Sequence, residues 1–175
     1  MSLLKIQVLG SSILRVETTP VAEITDELQL LIDDMCETMH AAQGIGLAAP
    51  QVGRSERLAV IEIEGEQYVI INPEIYWTSR ETVKGLEGCL SIPGYVGEVE
   101  RAESIRVRGL DRHGRKFRRR FYDWDARIFQ HEIDHLNGVL FLDHVEGPEA
   151  LRRLVKVVDE NGKERWKAIP MVAAG

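Results

Sequence analysis

The chain of 175 residues predicts an α+β fold, mainly antiparallel β-sheet packed around a central metal-binding helix. Three observations lead there. Apolar and polar residues alternate in short runs between Leu58 and Tyr122, as half-buried strands require. Apolar residues recur at helical spacing from Leu28 to Met39 and again from Ile128 to Leu136. The second helical stretch contains His131-Glu132-Ile133-Asp134-His135, which sets two imidazoles one turn apart on one helix face.

The elements follow in order. Thr25 is placed to cap a first helix over roughly 25–42, and Asp26 and Glu27 suit the positive end of its dipole. Gly44-Ile45-Gly46-Leu47-Ala48-Ala49-Pro50-Gln51-Val52-Gly53 reads as a helix-to-strand connection. Its small side chains would also let a ligand approach the backbone. Leu58–Ile63 and Tyr68–Ile71 flank Glu64-Gly65-Glu66-Gln67 as a hairpin, and Asn72-Pro73 marks the exit from its second strand. Cys89 sits among Gly85, Gly88, Pro93, Gly94 and Gly97, a loop-like setting in which thiol chemistry is expected. Ser104–Arg108 and the run 116–122 form a second hairpin across Arg112–Arg115, with Phe117 and Phe121 on one face and arginines on the other. Asp125 is the expected cap of the second helix, and Asn137-Gly138 its stop. A short helical segment is expected near Glu149–Val155. A final hairpin then joins Val157-Val158 to Trp166–Ile169 across Asp159–Gly162. With no internal repeat or linker, residues 1–175 are expected to form one domain.

Apolar residues at 44% and charged residues at 29% are the mix of a globular protein. No apolar run is long enough to span a bilayer, and no secretory signal opens the chain, so a cytoplasmic protein is expected. A net charge of −6 argues against a protein dominated by nucleic-acid binding. The basic run Arg115–Arg120 and the basic tail from Leu151 to Lys167 read as solvated faces. A docking patch for an anion such as ribosomal RNA is the second reading. Cys36 and Cys89 are expected to be reduced, Cys36 as a small inert hydrophobe on the first helix.

The His-Glu-x-x-His pattern supplies two metal ligands, and Glu132 lies where it can move the proton of a bound water. The third ligand is open. Phe141 stands where a longer zinc-peptidase motif has its third histidine, which excludes that motif. Glu146, Glu149, Glu160, Glu164, His144 and Cys89 remain as candidates.

Gly44–Gln51, Glu87-Gly88-Cys89-Leu90-Ser91 and Gln130–Leu136 resemble, in the same order, the three signature motifs of peptide deformylases. The resemblance covers roughly Ile6 to Val145, and the tail from about 146 is the variable part. It implies a metal-dependent hydrolase that removes the N-formyl group from the formylmethionine of newly synthesised proteins, releasing formate. It further implies that Cys89, His131 and His135 bind the metal, leaving one open place for water. The implied ion is Fe2+, with Zn2+, Ni2+ or Co2+ able to substitute. Glu132 would act as the proton carrier, with the Leu90 N–H and the Gln51 side-chain amide as oxyanion donors. Ile45, Gly46 and Gly88 would pair with the peptide main chain, and Ile45 and Ile128 would shape the methionine pocket, with Leu86 a weaker candidate. Glu87 would pair with Arg101 or else face solvent. Asp134 would be structural. His40, His113 and His144 would have surface or packing roles, and Tyr95 and Trp124 would pack. The implied partners are N-formylmethionyl nascent peptides, with a ribosome contact, no DNA and no membrane. A monomer or weak dimer is expected. Two rival readings are a metallopeptidase with another third ligand and a binding module that keeps a structural metal.

Overall fold

A computed structural model describes residues 2–171. The first helix, α1 (Asp26–Ala41), is capped as its sequence requires, the Leu28 N–H donating to the Thr25 hydroxyl at 3.2 Å. The chain leaves α1 through Gln43, which takes the left-handed conformation (φ 56°) ahead of the two glycines. Strands β1 (Gly46–Ala48), β2 (Leu58–Ile63), β3 (Glu66–Thr78), β4 (Thr82–Cys89), β5 (Ile92–Ala102), β6 (Ser104–Leu110) and β7 (Lys116–Tyr122) follow. Helix α2 (Asp123–Leu136) comes next, and strands β8 (Leu151–Val158) and β9 (Glu164–Pro170) end the described chain.

The strands form two antiparallel sheets. One runs β1-β2-β3-β6-β7, the other β4-β5-β8-β9. Alternation along β2 and β3 sorts the first sheet's side chains onto two helices. Leu58, Val60, Val69 and Ile71 pack with Leu31, Ile32, Met35 and Met39 of α1. Ala59, Ile61, Tyr68, Ile70 and Phe121 pack with Phe129, Ile133 and Leu136 of α2. The rings of Phe121 and Phe129 stack with centroids 3.8 Å apart. A third cluster joins Leu14, Ile92, Val99, Leu140 and Phe141 against the second sheet. Among the described residues no helix is long and apolar enough to cross a membrane.

Five expectations change. The hairpin turn after β2 is only Glu64-Gly65, both at positive φ, and pairing resumes at Glu66. The strand does not exit at Asn72-Pro73. It bulges there and continues to Thr78, because the Asn72 amide bonds both the N–H and the C=O of Val21 while Pro73 has no N–H to offer the ladder. Cys89 closes strand β4 instead of lying in a loop. Helix α2 opens at Asp123, two residues before Asp125, because the Asp123 N–H is satisfied by the Glu103 carbonyl and no side-chain cap is needed. Finally, residues 151–155 are strand, after a short 3-10 turn Pro148–Ala150. The free edge of β5 pairs with them through Tyr95↔Arg153, Val96↔Arg152 and Gly97↔Leu151. The final hairpin is present and longer than expected. Cys36 is buried, and burial pushes its thiol up to about 11, in keeping with an inert role.

Candidate active site

Steps of four along α2 bring Arg127, His131 and His135 onto one stripe. The His131 and His135 rings sit with centroids 5.0 Å apart. Cys89 reaches them from the second sheet. A register shift between Gly88 and Cys89 interrupts the ladder at the end of β4, and such a bulge re-aims the side chain. The Cys89 Sγ lies 3.3 Å from His135 Nε2. One donor atom from each of Cys89, His131 and His135 lies within 4.8 Å of the others. The other third-ligand candidates do not join this cluster. His144 is bound to Asp134 at 2.8 Å and lies 3.3 Å from Arg101.

Hydrogen bonds orient several polar groups around the cluster. Glu87 is buried, and its carboxylate accepts from Nε and Nη2 of Arg101 at 2.9 Å, from Arg127 Nη1 at 2.8 Å and from His131 Nδ1 at 2.8 Å. Burial opposes its charge, but the bonds from Arg101 and His131 prevail and hold its carboxyl far below the usual range. Asp134 accepts from Arg101 at 2.5 Å, so it anchors that network. Burial works against protonation of His131, yet its bonds to Cys89 and Glu87 carry it to about 10. The bond to Cys89 is the one that a cation would replace, while Glu87 stays on Nδ1. Burial, helped by the charges of His131 and Arg101, keeps His135 neutral, the form in which an imidazole can ligate.

Gln51 stands in the 3-10 turn Ala49–Val52. The Ala48 N–H donates to its Oε1 at 2.9 Å, which turns its NH2 toward Ser91 Oγ (3.2 Å) and Cys89 Sγ (3.4 Å). Glu132 is 4% exposed, and burial raises it to about 7 against the pull of His131. Its carboxylate lies against Gly46, where any Cβ would strike it. Among the described residues, Glu132 Oε2 and His135 Nδ1 are buried polar atoms with no partner. A thiol, two imidazoles and an unpartnered carboxylate fit a transition-metal cation of borderline softness.

Of the expected site residues, Ile45, Gly46, Gln51, Gly88, Cys89, Leu90, Ile128, His131 and Glu132 face one cavity of about 610 Å3, while His135 is 1% exposed and off its surface. Leu86 is exposed and does not line it. Tyr95 and Trp124, expected to pack, stand on the cavity wall instead, half exposed. Arg127 is the residue that sequence reasoning missed. Its signal was its place four residues before His131, on the stripe of the two histidines.

A Cys-His-His cluster beside a buried glutamate with a free oxygen defines the class of metal-dependent hydrolases. The polypeptide deformylase profile matches residues 3–150. The chain belongs to the peptide deformylase family. Its activity is therefore removal of the N-formyl group from the formylmethionine that begins newly synthesised proteins, with release of formate. It is 50% identical to the peptide deformylase of Halothermothrix orenii over 147 residues, 83% of this chain and 95% of that one. It is 46% identical to that of Symbiobacterium thermophilum over 96% of this chain and 75% of the relative. The crystal structure of the Thermotoga maritima peptide deformylase superposes with a TM-score of 0.82 at 39% identity, covering 84% of this chain and all 100% of that one. The Synechococcus elongatus enzyme, solved in complex with actinonin, gives 0.81 at 47% identity over 82% and 79% of the two chains.

Proposed function

We propose that Cys89, His131 and His135 hold the catalytic ion, Fe2+ in the native enzyme with Zn2+, Ni2+ or Co2+ as substitutes, and that Glu132 carries the proton. When bound, the ion supplies Lewis acidity and makes water acidic enough to ionise near neutral pH. Glu132 Oε2, buried and free, takes the proton of the attacking water and delivers it to the departing amine. The Gln51 NH2, fixed by the Ala48 N–H on its other end, and the backbone N–H of Leu90 stabilise the negative oxygen that develops on the formyl carbon. Glu87 holds His131 by Nδ1, so that Nε2 is the ligating atom.

The peptide enters between two sheet edges. Strand β1 is the outermost strand of one sheet and β4 of the other, and both flank the cavity. An extended chain can add its main-chain hydrogen bonds there, along Ile45, Gly46 and Gly88. Ile45 and Ile128 supply apolar surface for the methionine side chain. We take the whole chain as one catalytic domain, a monomer or weak dimer that works in the cytoplasm on N-formylmethionyl nascent chains. A ribosome contact would draw on the outer face of β6 and β7, where Arg106 lies opposite Arg120 and Arg108 opposite Arg118.

The observation that carries these roles is the free, buried carboxylate of Glu132 beside the Cys-His-His cluster. The test is formate release from a formyl-methionyl peptide by protein purified without oxygen and loaded separately with Fe2+ and Zn2+, with an unformylated peptide alongside. Formate without peptide-bond cleavage supports the assignment, and the faster ion identifies the catalytic metal. Metal retained in full after Cys89→Ser would overturn the ligand set.

A further inference from the structure

We infer that the C-terminal hairpin β8–β9 builds a subsite for the peptide residues that follow the formylmethionine, with Leu154 and Trp166 as its apolar contacts. The inference rests on the reading of the cavity as the peptide site. The hairpin lies beyond the residues matched by the deformylase profile, which end at 150.

Register places these side chains on one surface. Gly88 pairs with Val96 and Val96 with Arg152, so the three share a face across β4, β5 and β8. Leu154 and Lys156 follow Arg152 at steps of two and keep that face. Trp166 is the cross-strand partner of Lys156 and joins them. The cavity agrees, since Gly88, Val96, Leu154 and Trp166 all line it. Trp166 is nonetheless 63% exposed, a large apolar ring with room for a further contact. One cation lies over it. Lys156 Nζ lies 5.5 Å from the ring centroid and is itself held 3.4 Å from Glu164. An indole has only two side-chain torsions, so it offers broad contact at small entropic cost.

Distance sets which residues reach it. Trp166 is three strands from Gly88 across the sheet and four residues from it along the strands, about 19 Å between backbones. An extended peptide advances about 3.3 Å per residue, and the indole and the peptide's own side chains close part of the gap, so contact begins at about the fourth residue. A formyl dipeptide is too short to touch it.

The test compares kcat/KM of the metal-loaded enzyme on formyl-Met-Ala and on a formyl tetrapeptide with Leu or Phe at its third and fourth positions. Trp166→Ala should lose about fivefold on the tetrapeptide, chiefly through KM, and nothing on the dipeptide. Trp166→Phe should restore most of the loss. Ile169→Ala, on the opposite face of β9, should match the wild type on both peptides. Equal losses on both peptides would reduce Trp166 to a structural role and overturn the subsite, as would no loss on either. Wild-type formate release from neither peptide would instead overturn the reading of the cavity as the deformylase site.

Discussion

Glu132 is a carboxylate that burial pushes up to about 7, with Oε2 unpartnered. As a base it must be ionised, so kcat/KM should rise with pH along an acid limb and level off above it. A cation in the cluster favours the ionised form and can only move this acid limb to lower pH. A pH–rate profile of the metal-loaded enzyme checks the sign. A limb that falls with rising pH in this range would assign Glu132 the opposite role. Glu132→Gln should lower kcat by about 10²–10⁴ while metal content by atomic absorption stays unchanged. Gly46→Ala should act on the same group, since the added methyl displaces the carboxylate. Its expected signature is low kcat with a nearly normal melting temperature. At this scale the sequence was informative, because motif spacing alone brings His131, Glu132 and His135 together. It was silent on Arg127, since an arginine reads as surface until a buried acceptor such as Glu87 is known to face it.

Glu87 joins three elements: it stands on β4 and is bound by Arg101 of β5 and by Arg127 and His131 of α2. Breaking a buried charge network by removing one partner costs about 3–5 kcal/mol, so Glu87→Ala should destabilise by that order in urea unfolding. The folded-state pKa of Glu87 lies below its unfolded value of 4.5. Its contribution is thus complete above pH 4.5 and is lost as pH falls through the folded value. Glu87→Gln should flatten the acid side of the stability curve. An unchanged acid limb would show that other carboxylates set it. Thr25→Ala should cost about 1 kcal/mol through the lost cap. Helix α1 and the β6–β7 hairpin were legible because cap, period and turn chemistry agree. Residues 151–155 were not. Leu151-Arg152-Arg153-Leu154-Val155 satisfies a helical spacing as well as a strand, and the unpaired edge of β5, distant in sequence, decides between them. Strand β3 was cut short for a related reason, since only tertiary bonds from Asn72 to Val21 show that the proline marks a bulge.

The three apolar clusters are complete without the site's ligands, apart from the edge contact of Cys89 with the third. Chelation should therefore abolish turnover and lower the melting temperature without unfolding the chain at 25 °C. Retained far-ultraviolet circular dichroism checks this, and its collapse would make the ion part of the core. At this scale the α+β class was readable from alternation. The division into two sheets was not, because strand order depends on which edges meet. That division gives the Cys89–His135 contact a mechanical meaning. The two residues are 46 positions apart and belong to different layers. An ion shared between them fastens the layers as a crosslink would. Unlike a covalent link, the ion holds only the folded arrangement, so it stabilises by mass action, by about 2.7 kcal/mol at a hundredfold excess over its dissociation constant. Loading an ion there should slow the separation of the layers and make the cluster a clasp, so its removal by a chelator should shorten the lifetime of the native protein, read as a faster unfolding rate in urea.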